Sequence, residues 1–254
     1  MNRRMVLRAG ATGAAVLGLS ACRILDGDTS LRRAMASANG LTWRVQRALA
    51  GGRSLAREYA EADIRQGMRP NGVTDPDAAD YLALKAGGWA DYRLRVTGLV
   101  ARPLSLSLAD LRAMPVRSQI TRHDCVEGWS CIARWTGTPL GLVLDLARPL
   151  VAARYAVFHC FDTIERGLAG EVKYYESHDL IDAWHPQTIL AWGMNGTDLP
   201  VANGAPLRLR VERALGYKHA KYIHTIELAD SLAGFGTGRG SYWADRGYDW
   251  YAGI

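Results

Sequence analysis

Short segments of strict apolar–polar alternation give this chain its clearest pattern. Tyr92-Arg93-Leu94-Arg95-Val96-Thr97-Gly98 alternates throughout, and Leu207-Arg208-Leu209-Arg210-Val211-Glu212-Arg213 does so again. A period of two sends successive side chains to opposite faces, so both segments read as strands with one buried face. Arg154 to Phe161 reads as an interior strand, Arg117-Ser118-Gln119-Ile120 as a β-like run, and Tyr222 to Leu228 as the last strand. Thr188 to Met194 leads into Asn195-Gly196, a strong hairpin signal because both residues tolerate positive φ. Leu31 to Ala50 carries apolar residues at roughly helical spacing, and residues 22–70 read as a mostly helical lead-in. Ser107-Leu108-Ala109-Asp110 resembles a capping box and is closed by Pro115. Thr138-Pro139 predicts another helix, with Thr138 as N-cap and Leu142, Leu144 and Leu146 within it. Met68-Arg69-Pro70-Asn71-Gly72 is a turn cluster. Strands outnumber helices and are not paced as βαβ repeats, which argues for a mixed, β-rich α+β fold and against Rossmann or TIM architectures.

The first residues carry an address. Arg3-Arg4 precedes an uncharged run from Ala9 to Leu19, the form of an export signal. That run is short of the roughly 20 residues a bilayer span needs. Adjacent arginines look like the twin-arginine class, which exports folded proteins. Leu19-Ser20-Ala21-Cys22 resembles a lipoprotein box, with residues 1–21 as the signal and Cys22 as the acylated residue; an ordinary signal with an unrelated cysteine is the alternative. Loss of Arg3, Arg4 and Arg8 lowers the formal net charge from +6 to +3. The remaining arginines are interspersed with acids, so no nucleic-acid surface is expected. With 48% apolar residues the mature part can bury a full core.

Candidate chemistry centres on Arg122-His123-Asp124-Cys125-Val126-Glu127-Gly128-Trp129-Ser130. Neighbouring cations favour a thiolate, which is both a nucleophile and a soft metal ligand, so Cys125 is either functional or a buried structural cysteine. Besides Cys22 and Cys125 the chain has Cys131 and Cys160, which could pair or stay free. There is no Cys-x-x-Cys, so a second redox centre has no support and electrons must come from a separate protein. Asn203-Gly204-Ala205-Pro206-Leu207-Arg208 and Leu215-Gly216-Tyr217-Lys218-His219-Ala220-Lys221 gather amides and cations suited to an anion. Neither nucleotide-binding glycine motif is present.

Taken in order, Cys125, then Asn203 with Arg208, then Gly216 to Lys221, this chain resembles the molybdopterin-dependent oxidoreductases of the sulfite oxidase fold. Ala183-Trp184-His185-Pro186 resembles a turn of the same family, and the likeness runs over about residues 70–235. It implies a molybdenum–pterin cofactor without an appended nucleotide, bound by domain 71–235 with Cys125 as the metal ligand. Asn71, Cys160, Asn203, Arg208, Lys218, His219 and Lys221 would contact the cofactor. Arg122 and His123, with His159 as a further candidate, would bind or protonate substrate, and His185 would be positional. The resemblance is to the bacterial periplasmic members, including the catalytic subunit of the methionine sulfoxide-reducing repair system. That implies oxygen-atom transfer on a small sulfur or related oxo compound, with sulfoxide reduction favoured over sulfite-type dehydrogenation. It also implies a membrane haem or quinone-linked electron-transfer partner, beside a lipid anchor on Cys22. Two departures stand out: Cys160 replaces a threonine of the repair enzyme, and Thr74-Asp75 stands near where an aromatic pair is expected. A thiol enzyme using Cys125 as nucleophile and His123 as base, which leaves the Asn203 and Lys221 motifs unexplained, and a non-catalytic lipoprotein binding module, which leaves the twin-arginine signal unexplained, are the alternatives. The aromatic segment 236–254 is expected to pack onto the domain.

Overall fold

In the computed structural model, residues 40–48, 54–65, 67–168 and 170–254 are described; the twin arginines, the apolar run and Cys22 lie outside them. Residues 40–48 form a helix within a unit that ends at Leu49. The rest forms a second unit. No helix of the described residues is long and apolar enough to cross a membrane.

The second unit is built on two five-stranded sheets. The first has the order β2 (Leu104–Leu106), β1 (Leu94–Gly98), β10 (Ile223–Ala229), β5 (Tyr155–Gly167), β6 (Gly170–Asp179). Only β1 and β10 in it run parallel. The second joins β3 (Arg117–Asp124), β4 (Ser130–Pro139), β7 (Ile189–Met194) and β8 (Thr197–Asp198), with β9 (Arg208–Arg210) pairing along β7. Helices cover rather than separate the strands, as an α+β fold requires. The Asn195-Gly196 turn between β7 and β8 has both residues at positive φ, +50° and +83°, the backbone a two-residue hairpin needs.

The helical expectation fails for residues 54–65. This stretch runs extended beside the edge strand β3, where Tyr59 N–H donates to the Ile120 carbonyl at 2.8 Å and Glu58 bridges Thr121; one 3-10 turn follows at Glu61–Asp63. Pairing gives that edge partners for groups it would otherwise leave open. The Ser107 box forms as expected: Asp110 N–H donates to Ser107 Oγ at 3.1 Å and Ser107 N–H returns to Asp110 Oδ2 at 2.8 Å, starting the helix Leu108–Ala113. The helix after it is Leu140–Ala147, but Thr138 is not its cap. Thr138 belongs to β4, and its hydroxyl donates to the Leu111 carbonyl at 2.7 Å, tying the two helix regions together. Alternation gives no sign of the helices Ala79–Ala86 and Leu180–Ala183.

The alternating segment at Leu207 holds the main surprise. Leu207, Leu209 and Val211 enter the larger apolar core, as a half-buried strand should. Arg208 and Arg210, on the face expected to meet solvent, are buried too, with their guanidinium carbons 4.8 and 4.4 Å from the fully buried Trp135 ring.

Gly137 lies where β4 shifts register against β7, and a Cβ there would sit 2.3 Å from the Leu190 carbonyl oxygen and 2.6 Å from Ala191 Cα. Both are backbone atoms that cannot rotate away. Gly137→Ala should therefore cost about 1–3 kcal/mol, seen as a lower thermal midpoint by roughly 2–4 °C per kcal/mol. Gly234→Ala, which meets nothing within 4 Å, should leave the midpoint in place.

Candidate active site

A cleft of about 480 Å³ opens beside Cys125. The thiol stands at the tip of the β3–β4 hairpin, in a turn that fixes its backbone. Cys125 N–H donates to the Trp129 carbonyl at 2.9 Å, Gly128 N–H donates to the Cys125 carbonyl at 3.1 Å, and Gly128 takes φ +84°. Cys125 is only 9% exposed and is not in a disulfide. The Asn71 side-chain amide points an N–H at its sulfur from 3.9 Å. Cys131 and Cys160 are likewise free.

Strand alternation sorts the residues before the thiol. Gln119, Thr121 and His123 face inward, whereas Arg122 faces out, half exposed and paired with Asp124 at 2.9 Å. Arg122 is not part of the cleft lining, which corrects its expected role toward substrate. His123 is buried and accepts at Nδ1 from Arg210 at 2.8 Å. A guanidinium can only donate, so the ring's proton must sit on Nε2. Burial first, and then the Arg210 charge, holds the His123 pKa well below the ordinary imidazole value. A ring kept neutral in this way is no proton donor at physiological pH, and it does not line the cleft either. His123 instead packs edge-on to His219 at 5.1 Å and against Gly216, where a Cβ would lie 2.6 Å from its Nε2. Arg210 is held in turn by Glu212, at 3.0 and 2.6 Å, and Glu212 also accepts from Gln119 at 2.8 Å.

Of the two later motifs, Gly216, Tyr217, His219 and Lys221 line the cleft, whereas Asn203 and Arg208 are buried behind Lys221 and are not lining residues. Lys221 lines the cleft and donates to the carbonyls of Asn71 at 2.6 Å, Ala202 at 3.2 Å and Val73, pinning the Asn71 turn to the Asn203 turn. Burial, then the charge of Arg208, lowers its pKa to about 7. Arg208 adjoins it across Gly204, whose missing Cβ would lie 3.1 Å from both side chains. Arg208 donates one N–H to the Asn203 carbonyl at 2.7 Å, and burial pulls its pKa down to about 9. Its Nε and the Asn203 side-chain amide are buried without a partner among the described residues. Glu212 is already committed to Arg210 and Gln119. Two cations and two idle donors with no acid in contact form a set that an acceptor-rich anion such as a phosphate would satisfy. A pterin carrying a phosphate tail fits that donor set. His219 adds an acceptor: its Nε2–H donates to the Ala214 carbonyl at 3.0 Å, and its Nδ1 is buried and unengaged.

Lys218 and Cys160 do not join this group. Lys218 forms a buried ion pair with Glu176 and donates to the Ser177 carbonyl at 2.9 Å, because the 3-10 turn Gly216–Lys218 sends it toward β6. Cys160 is 1% exposed inside the larger core, where burial raises its thiol pKa far above the ordinary range. His159 pairs with Glu227 at 2.9 Å and His185 bonds the Ser54 carbonyl at 3.0 Å, both away from the cleft lining. Six lining residues lie outside the sequence motifs: Val73, Asp162, Ile164, Tyr174, Trp243 and Tyr248. The aromatic density of the C-terminal segment was the available signal for the last two.

These features define a molybdopterin-binding oxidoreductase. The chain matches the family described as "Oxidoreductase molybdopterin binding domain" over residues 81–233, and it belongs to that family, the sulfite oxidase-fold group indicated by its motifs. Over 251 residues it is 34% identical to a protein of Azospira oryzae named "Putative protein-methionine-sulfoxide reductase subunit YedZ1", a match covering 99% of this chain and 87% of the relative. Among solved structures it is similar to the sulfane dehydrogenase SoxCD of Paracoccus pantotrophus, at 21% identity and a TM-score of 0.49. That match covers 56% of this chain and 39% of the other.

The contrast between the two lysines is testable. Lys218→Met would leave Glu176 buried and uncompensated at a cost of about 3–5 kcal/mol in unfolding free energy, with molybdenum per folded molecule unchanged. Lys221→Met should show the reverse weighting, with pterin and metal content falling most. Chemical denaturation together with metal analysis reads both.

Proposed function

We propose that this chain is the catalytic subunit of a sulfoxide reductase, with Cys125 as its single protein ligand to molybdenum. The observation that carries the reading is the placement of that thiol in the same cleft as buried Lys221, with the buried Arg208 guanidinium behind it across Gly204. Among the described residues no three His, Cys, Asp or Glu side chains converge on a metal position, so the remaining ligands would come from the cofactor. When bound, a molybdenum–pterin supplies a two-electron metal able to exchange an oxygen atom. The protein's own work is to hold and orient. Lys221, Arg208 and Asn203 would grip the phosphate of a nucleotide-free pterin, and His219 Nδ1 would accept from a ring N–H. Trp243, Tyr248 and Tyr217 face the same cleft and suit the apolar body of a thioether or sulfoxide. The printed name of the Azospira relative supports methionine sulfoxide as the substrate class. The thiol-enzyme alternative lacks its base, since His123 is neutral and bound at Nδ1 by Arg210.

The working location follows from the first residues. We propose export by the twin-arginine route, a lipid on Cys22, and a membrane haem or quinone-linked protein as electron donor. The word subunit in the relative's name favours a partner of this kind.

Two measurements check this reading. Protein from cofactor-competent cells should contain stoichiometric molybdenum and reduce methionine sulfoxide with a reduced viologen dye. Cys125→Ser should drop turnover to background while keeping most of the pterin; zinc or no metal in the wild type would overturn the assignment. Natively expressed protein should begin at Cys22 and need detergent for extraction, and a detergent-free protein starting elsewhere would rule out the anchor.

A further inference from the structure

We propose that Asp162 is the proton donor of the cleft, delivering protons to the oxygen that leaves the substrate. The proposal deepens the sulfoxide reading and rests on it. Reducing a sulfoxide to a thioether breaks one S–O bond, gives sulfur two electrons, and releases the oxygen as water after it takes up two protons. The electrons come from an external one-electron donor acting twice. The protons must come from a group inside the cleft or from loosely held water.

Geometry singles out Asp162. It lines the cleft yet is only 3% exposed, and its Oδ1 is buried without a partner among the described residues. A bulge aims it there. The β5–β6 pairing shifts register between His159 and Thr163, and Cys160 to Thr163 are buried in succession instead of alternating. Bulges of this kind redirect side chains beside functional sites.

The other buried cleft groups are already engaged. Lys221 donates to three carbonyls. His219 has its one N–H on Ala214 and burial keeps its Nδ1 unprotonated. The Tyr174 hydroxyl donates to the Tyr217 carbonyl, and the Tyr217 hydroxyl to the Asp249 carbonyl at 2.8 Å. Glu127 sits at the exposed rim, accepting from Trp129 at 3.0 Å.

The surroundings of Asp162 set its protonation. Burial raises its pKa from 3.8 to about 7, against the opposing charges of Lys221 and then Lys173. Cys160 on its own strand, Tyr174 on β6, Tyr81 on the helix Ala79–Ala86 and Tyr222 before β10 also sense its charge. The carboxyl is therefore protonated below about pH 7, and the capacity to donate is lost as pH rises through that value. After the first transfer it recharges from solvent at the cleft mouth and gives the second proton.

The test joins infrared spectroscopy to kinetics on the holoenzyme. A protonated-carboxyl band should titrate near neutrality in the wild type and be missing in Asp162→Asn. That variant should lose roughly 10²–10⁴-fold in kcat with little change in KM, and lose the alkaline limb of the kcat–pH profile. Asp162→Glu keeps an ionisable carboxyl and should retain a displaced limb, which also guards against misfolding of the amide variant. Assays with methionine sulfoxide and with an amine N-oxide, both driven by reduced viologen, separate the two readings. Turnover of the N-oxide alone removes the sulfoxide assignment and leaves Asp162 to be judged on the N-oxide profile. Wild-type kcat and pH profile in Asp162→Asn, with either substrate, overturns the proton-donor role. If neither substrate turns over, the infrared titration decides: no band titrating near neutrality overturns the proposal.

Discussion

Arg208 and Arg210 reach Trp135 from β9 with guanidinium carbons 4.8 and 4.4 Å from its ring, and both side chains are buried. Stacking on an indole contributes about 2 kcal/mol or more per desolvated cation, whereas burying an ion costs several. Arg210 offsets that cost through Glu212, a pair with no exposed side-chain surface. Arg208 has a single carbonyl. The imbalance on Arg208, with Lys221 across Gly204, is the feature on which the proposed anion seat rests.

The same pair of arginines ties the proposed anion seat to the thiol. Arg210 fixes the His123 ring, and His123 sits on the inward face of β3 two residues before Cys125. Gly216 packs against that ring without a Cβ, which brings the Gly216–Lys221 loop beside the Cys125 turn. Lys221 then bonds the Asn71 carbonyl, and the Asn71 amide faces the Cys125 sulfur. The path from β9 to the sulfur runs through two short hydrogen bonds, the packing of Gly216 on the His123 ring, and the 3.9 Å approach of the Asn71 amide. His123 thus acts on position, which its neutral, buried state allows and a catalytic acid could not tolerate.

Much of this was legible in the sequence. Alternation located β1 and β9, the runs Arg154–Phe161 and Tyr222–Leu228 marked β5 and β10, and of the ordered motif residues Cys125 and Lys221 line the cleft. Alternation cannot show that a polar face is buried, so the second face of β9 read as solvent-exposed. Lys218 and Lys221 look equivalent as residues, but Lys218 ends the 3-10 turn Gly216–Lys218 and pairs with Glu176, whereas Lys221, beyond the turn, lines the cleft. The resemblance pointed to Cys160, and the register shift in β5 that accompanies Asp162 in the cleft has no residue signature. The helix Ala79–Ala86 starts without a side-chain cap, so no start signal marked it. Trp243 and Tyr248 reach the cleft from a C-terminal segment whose Gly253 bridges Ala214, a contact set by tertiary structure rather than local pattern.

The central claim is that one protein thiol, Cys125, meets molybdenum in this cleft. X-ray absorption at the molybdenum edge tests it most directly, because sulfur neighbours are counted without reference to turnover. Wild-type protein should show one more sulfur at bonding distance than Cys125→Ser, with the remaining shell unchanged. Equal sulfur counts in the two proteins would contradict the account.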